Sequence, residues 1–255
     1  MNYVIISGAS RGVGRAIAAA LLRPDNALLC VSRQQNRALL DEATALGGSL
    51  EFIAWDLSDP GKIEALIDEL FAKIDRSRAQ TISLVNNAGV VSPIHPLPDC
   101  QAGAVVYNIQ LNLIAPMLMT AQFIRRTADW PIEKRVVNIS SGAGRKAYYG
   151  WASYCAAKAG VDLFSQCVGL EQQEAAFPVK IVSLAPGIVD TDMQQELRAA
   201  HKEDFAQVER FRKLKEEGRL LQPEFVAEKV VELLLRQNFP SGSLLDVTEW
   251  NADDQ

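Results

Sequence analysis

Tyr154 and Lys158 stand four residues apart in the stretch GWASYCAAKAG, Gly150 to Gly160. On a helix that spacing puts both side chains on one face, one turn from each other. A phenol beside an ammonium has two readings. The bland one is a surface ion-dipole pair. The sharp one is a proton donor, with the lysine tuning the tyrosine to hand its proton to a reacting oxygen. The motif by itself does not choose between them.

A second set of residues points to a ligand. The run SGASRGVGRAI follows an apolar segment at Tyr3–Ser7 and spaces its glycines, Gly8, Gly12 and Gly14, as G-x-x-x-G-x-G. This departs from the G-x-G-x-x-G dinucleotide fingerprint, but the physics is shared. Glycines permit a tight turn and a close approach of backbone to a pyrophosphate, and a helix N-terminus favours the anion. The alternative, a merely structural turn, is weakened by the strand before it and the helix after it. The second strand ends LLCVSRQQN, with Ser32 and Arg33 where an acid would bond the ribose 2′-hydroxyl of NAD. Arg11 lies inside the glycine turn. Two guanidiniums and a hydroxyl suit a 2′-phosphate by charge and fork geometry, so the expected cofactor is NADP(H). A solvated strand end is the other reading of Arg33.

The elements that must position these groups alternate along the chain. Tyr3–Ser7, Ala27–Ser32, Leu50–Trp55, Ile82–Asn86, Arg135–Ser140, Val179–Leu184 and Leu244–Val247 read as strands. Gly14–Leu22, Arg37–Leu46, Lys62–Ile74, Val105–Arg126, Ala152–Glu174 and Phe225–Arg236 read as helices. Strict alternation implies an α/β fold with a parallel sheet and helices on both faces. One segment breaks the rhythm. Residues 187–223, charged and with helical patterning, lie between a strand and the last helix. They follow the carboxyl end of a strand, where open α/β sheets bind ligands, and are expected to form a substrate lid; a solvated excursion without function is the alternative.

Composition removes other classes. The net charge of −5 argues against a nucleic-acid binder. Cys30, Cys100, Cys155 and Cys167 show no C-x-x-C or zinc spacing, and His95 and His201 are far apart, so neither a disulfide frame nor a metal site is expected. The opening MNYVIISGAS reads at once as strand and glycine turn, with no signal peptide and no apolar run of membrane length. The expected location is the cytoplasm.

Taken together, the motifs resemble the short-chain dehydrogenase/reductase family. The matching pieces are GASRGVG at 8–14, Asp56-Leu57 after the third strand, NNAG at 86–89, Asn112 in the long helix, NISS at 138–141, Tyr154-x-x-x-Lys158, and Pro186-Gly187 with Thr191. The resemblance implies a single Rossmann-type, doubly wound domain over 1–255 with seven parallel strands, and hydride transfer between a nicotinamide and a carbonyl or alcohol. It implies a catalytic set of Asn112, Ser141, Tyr154 and Lys158. Ser141, thirteen residues before Tyr154, is preferred over Ser140. It implies cofactor contacts from Gly8, Ser10, Arg11, Gly12, Val13 and Gly14 in the turn. Asp56 and Leu57 are then expected at the adenine, and Asn86, Ala88 and Gly89 in the turn after the fourth strand. Pro186, Gly187, Val189 and Thr191 are expected beyond the sixth.

The chemistry suits those residue types. Hydride arriving at a carbonyl carbon leaves negative charge on oxygen, and a proton must arrive as that charge develops. A free tyrosine, with pKa about 10, is a poor donor at neutral pH. Lys158, with the positive nicotinamide, is expected to lower that value, and to hold the nicotinamide ribose. Ser141 can hydrogen-bond the same oxygen, and Asn112 can anchor a water that relays protons to Lys158. The small residues around Tyr154 let the helix lie flush against sheet and cofactor. The resemblance also implies a homodimer or homotetramer, joined through the helices bearing Asn112 and Tyr154.

Three stretches resemble one branch more narrowly. GWASYCAAKAG, LAPGIVDTDMQQ at 184–195 and SGSLLD at 241–246 look like the sepiapterin reductases and the bacterial benzil reductases. Both act on adjacent carbonyls beside a flat aromatic group. Asp246 stands where sepiapterin reductases anchor the pterin, although the acidic tail TEWNADDQ departs from that pattern; a charged residue at a frayed strand end is the alternative. Trp151 either walls the substrate pocket or simply packs. Cys155 reads as a small core group rather than a nucleophile. The sequence thus predicts an NADPH-dependent reductase of a small-molecule ketone or dicarbonyl. Two competitors remain: a family member acting on an unrelated ketone, quinone or alcohol, and a non-catalytic NADP(H)-binding sensor.

Overall fold

The structure is a computed structural model and describes residues 1–249. The last residues of the acidic tail, 250–255, lie outside the described residues. Seven parallel strands form one sheet in the order β3-β2-β1-β4-β5-β6-β7. They are β1 (Asn2–Ser7), β2 (Asn26–Ser32), β3 (Ser49–Ala54), β4 (Thr81–Asn86), β5 (Glu133–Ile139), β6 (Lys180–Ala185) and β7 (Leu244–Asp246). Their apolar runs follow from burial on both faces. In β1, Val4 and Ile6 enter one core while Tyr3 and Ile5 enter the other, as the two-residue side-chain period of a strand requires.

The first core is closed by α1 (Gly12–Ala20), α2 (Arg37–Ala45) and α9 (Pro223–Leu235). The second is closed by α3 (Ile63–Ala72), by a long helix and by α6 (Ala152–Glu171). The long helix has three parts, α4 (Ala102–Ile109), a π turn at Gln110–Ile114, and α5 (Ala115–Arg126). Together they make one helix, Ala102–Arg126, that is long and apolar enough by length and composition to cross a membrane. The sequence reading found no run of that length, because polar Asn108 and Asn112 interrupt it. In the fold their side chains are turned inward and bonded to the loop after β4.

The expected strands and helices all form, with ends shifted by a few residues. The segment 187–223 is also built. A parallel bridge between Val189 and Leu221 pins its two ends together. Between them lie α7 (Asp192–Arg198) and α8 (Val208–Glu216). The sheet order reverses at the β1/β4 boundary, so the connections leave β1 and β4 in opposite directions and open a crevice there.

Candidate active site

The crevice at the carboxyl ends of the strands holds a cavity of about 1170 Å³. That exceeds the usual 300–1,000 Å³ of a small-molecule site and suits a dinucleotide and a substrate together. One end is backbone. Gly8, with φ +69°, turns the chain out of β1, and a Cβ on Gly14 would stand 2.3 Å from the Gly8 carbonyl oxygen. The helix therefore starts in contact with the strand end. This is a cradle that side chains would fill, and it fits a pyrophosphate. Ser10, Arg11, Gly12 and Val13 line the cavity, while Gly14 packs beneath it.

Asn87 locks this turn to β4, donating from Nδ2 to the carbonyls of Ser7 (3.0 Å) and Gly8 (3.2 Å). The Ser7 hydroxyl accepts from the backbone N–H groups of Asn87 (2.9 Å) and Ala88 (3.1 Å). Asn86, expected in the cofactor wall, sits elsewhere. It is buried and donates to Asn138 Oδ1 (2.8 Å) and Thr120 Oγ1 (3.1 Å), away from the cavity. Consecutive residues leaving a strand point to opposite sides, so in the Asn-Asn pair it is the second that reaches the glycine turn. Ala88 and Gly89 line the cavity as expected.

The wall beyond the glycine turn, where the adenine is expected, includes Ser32, Arg33, Asp56 and Leu57. The Ser32 hydroxyl donates to the Gln34 carbonyl at 2.6 Å. Arg33 Nη1 donates to the Tyr107 hydroxyl at 3.4 Å. Asp56 accepts from the Ser58 N–H (2.9 Å) and hydroxyl (2.8 Å). Its carboxyl is held below the usual range, first by the Ser58 backbone bond and further by the nearby Arg33. Arg11 is engaged across the cavity mouth, where Nη1 meets Asp192 Oδ2 of α7 at 2.9 Å with both side chains mostly exposed. Of the two guanidiniums expected at a 2′-phosphate, Arg33 is hydrogen-bonded to a neutral phenol, with the Asp56 carboxylate nearby, whereas Arg11 is ion-paired to Asp192.

At the centre, Tyr154 and Lys158 both lie on α6 and are buried. The Lys158 ammonium is 5.8 Å from the Tyr154 ring centre and donates to the Ile139 carbonyl of β5 at 2.9 Å. Burial pushes the Tyr154 phenol up to about 12, against a hydrogen bond with the Ser141 side chain that acts downward. In the chain alone burial sets the direction; the expected lowering was that of Lys158 acting together with a bound, positively charged nicotinamide. Burial pulls Lys158 down to about 8, and Asp162 opposes it. At neutral pH this pair is a neutral phenol beside an ammonium. Ser140 and Ser141 both line the cavity; the hydroxyl of buried Ser140 is turned toward the Lys158 carbonyl of α6 at 3.4 Å.

Asn112 lies in the π turn, behind the cavity wall. Its amide is bonded twice to the Val90 backbone, accepting at 3.1 Å and donating at 2.8 Å. A Cβ on Gly89 would meet Asn112 Oδ1 at 2.6 Å and Lys158 Nζ at 3.8 Å. Only a glycine lets these two groups approach the same small space.

The other end is aromatic. Trp151 is buried, with its ring centre 4.8 Å from Tyr154, 5.1 Å from Phe205 and 6.3 Å from Phe211. The two phenylalanines come from the segment 187–223, which thus packs directly on the residues around Tyr154. His95 Nδ1 meets Asp204 Oδ1 at 2.9 Å, and Ser92 donates to Glu196, so the loop after β4 holds the same segment. Sequence reasoning missed Phe205, Phe211 and these tethers. Pro186, Gly187, Val189 and Thr191 line the cavity where β6 ends. Asp246 lines it too, but its Oδ1 already accepts from the Thr248 N–H (2.9 Å) and hydroxyl (2.7 Å). Cys155 is half-buried and burial raises its thiol, which keeps it neutral and unreactive.

Comparison with known proteins agrees with the geometry. The family described as short chain dehydrogenase matches residues 2–202. The benzil reductase ((S)-benzoin forming) of Bacillus cereus is 43% identical, over 98% of this chain and 100% of the relative. The sepiapterin reductase of Rattus norvegicus is 32% identical, over 95% of this chain and 94% of the relative. The crystal structure of the KRED1-Pglu enzyme superposes with a TM-score of 0.81 at 29% identity, covering 96% of this chain and 100% of that one. The chain belongs to the short-chain dehydrogenase family and is an oxidoreductase of CH–OH or C=O groups.

Proposed function

We propose that the chain is an NADPH-dependent reductase of aromatic ketones and 1,2-dicarbonyls, benzil-like rather than pterin-like. The observation that carries this is the buried Tyr154 phenol, beside Ser141, at the junction of a glycine cradle and an aromatic wall. A bound reduced nicotinamide supplies hydride to the carbonyl carbon. The Ser141 hydroxyl donates to the carbonyl oxygen and stabilises its growing charge. Tyr154 gives that oxygen its phenolic proton. Lys158, charged below about pH 8, steadies the phenolate left behind. Asn112 shapes the π turn beside Lys158, where water can replace the proton. Trp151, Phe205 and Phe211 exclude bulk water from the reacting oxygen and offer faces to an aryl group.

Arg33 supports the preference for NADPH, since a 2′-phosphate gives its guanidinium an anionic partner in place of a phenol. The pterin reading has one observation in its favour, the position of Asp246 on the cavity wall. A pterin anchor needs paired acceptors, and one of the two oxygens is already committed to Thr248. Similarity to the benzil reductase also exceeds that to the sepiapterin reductase.

A homodimer or homotetramer through the long helix and α6 is part of the proposal, because Val106, Leu163 and Leu170 are more than half exposed on those helices. The four cysteines are free thiols, which supports the cytoplasm as the location.

The test is consumption of NADPH and of NADH with benzil, other ketones and sepiapterin. Benzil turnover with NADPH preferred by about tenfold or more is expected. Cofactor binding without turnover of any carbonyl would make the protein a sensor. Asp246→Ala should leave benzil turnover near normal; a selective rise in KM for sepiapterin would revive the pterin anchor.

A further inference from the structure

Asp162 lies one helical turn beyond Lys158 on α6 and is 4% exposed. A buried carboxylate is costly unless it is paired and bonded. Its Oδ1 accepts from the Ser183 hydroxyl of β6 at 2.6 Å. Its Oδ2 has no hydrogen-bond partner and faces the Arg145 guanidinium, with Nε at 3.5 Å. Arg145 ends the turn Gly142–Gly144 that follows Ser141, and its Nη2 donates to the Leu245 carbonyl of β7 at 3.0 Å. The turn is pressed onto the helix, because a Cβ on Gly144 would stand 2.9 Å from both Asp162 Oδ2 and the Lys158 carbonyl oxygen. Asp162 therefore sits on the helix of the proton-donating pair, four residues after Lys158 and on the same face, and its carboxylate contacts Arg145 of the turn that follows Ser141 and Ser183 of β6.

We propose that Asp162 is a positioning residue for this reaction, holding the Lys158 ammonium charged and, through Arg145, fixing the Ser141 turn against β7. The proposal rests on the assignment of Lys158 to the proton-donating pair. The surroundings leave few other sources of charge. On α6 the titratable neighbours are Tyr154 and Cys155, both raised by burial and neutral at pH 7. From the turn after β5 comes Arg145. The nearby contacts from β5, β6 and the π turn are neutral ones, the Ile139 carbonyl, the Ser183 hydroxyl and the Asn112 amide. Burial lowers Lys158 and Asp162 opposes it. Arg145 shares the same carboxylate and so weakens its hold.

Two substitutions should then act in opposite directions. Asp162→Asn keeps shape and the Ser183 bond but removes the charge, so Lys158 should lose its proton about one pH unit lower. Arg145→Gln should move it upward. Protein labelled with [ε-¹³C]lysine and titrated by NMR reads this directly, with Lys158 assigned through Lys158→Met. It needs neither cofactor nor substrate. In turnover, the alkaline limb of kcat/KM should follow the lysine. Asp162→Asn should lose a few-fold at pH 6, through the loosened Ser141 turn, and roughly tenfold more above the limb. A purely structural role would lower activity at every pH and leave the limb in place. Midpoints that stay put in either folded variant overturn the proposal. Should Asp162→Asn fail to fold, Arg145→Gln decides. Lysine shifts in a protein that reduces no carbonyl would uphold the hold of Asp162 on Lys158 and count instead against the reductase reading.

Discussion

At the glycine turn the cavity wall is backbone, clamped by Asn87 and Ser7. At the segment 187–223 it is a stack of Trp151, Phe205 and Phe211, tied down by Arg11–Asp192, His95–Asp204 and Ser92–Glu196. The first end has little freedom to vary, since a single added Cβ meets a carbonyl oxygen at 2.3 Å. The second tolerates change, since aromatic side chains repack and exposed ion pairs contribute little. A ligand held by the first end would be recognised through its phosphates, and one held by the second by shape. On the proposed function, the shared chemistry belongs to the turn and α6, and substrate choice to the segment 187–223.

Substitutions at each end should separate these roles. The largest effect is expected for Gly14→Val, which drives a branched side chain into the Gly8 carbonyl. Cofactor affinity measured by fluorescence should fall by about a hundredfold or more, or the protein should fail to fold. Near-normal binding would mean that the turn is not the cradle. Arg33→Asp comes next. The ratio of kcat/KM for NADPH over NADH should drop by roughly ten- to a hundredfold, through repulsion of the 2′-phosphate. An unchanged ratio would move the preference to Arg11. Phe205→Ala should have the smallest effect on chemistry. It opens a fully buried site and should cost about 3–5 kcal/mol of stability. KM for benzil should rise several-fold, with cofactor affinity unaltered. A large loss of cofactor binding in this variant would abolish the distinction between the two ends.

The same distinction explains what was legible in the sequence. Gly8, Gly12 and Gly14 announce themselves because steric demand permits few other residues there. Tyr154 and Lys158 are readable because helical spacing alone places them on one face. Asn86 was not, because in an Asn-Asn pair the residue types are identical and only the exit of the chain from β4 decides which one turns to Ser7. The π turn at Gln110–Ile114 leaves no periodic signal, as five residues of altered winding vanish within a long apolar helix. The segment 187–223 does interrupt the strand–helix rhythm, with α7 and α8 between β6 and α9, but its docking on Trp151 depends on long-range packing. No local pattern encodes that Phe205 will meet a ring fifty-four positions earlier. Asp162 carries no local signal in the sequence; only the tertiary structure shows it buried against Ser183 and Arg145.

The central claim, that Tyr154 is the acid of a carbonyl reduction, is tested most directly by Tyr154→Phe, with NADPH affinity and single-turnover reduction of benzil measured on the same preparation. The ring keeps its packing against Trp151 and loses only the proton. The account predicts an unchanged Kd for NADPH and a rate of reduction lower by about two to four orders of magnitude. A variant that reduces benzil at a near-normal rate would contradict it.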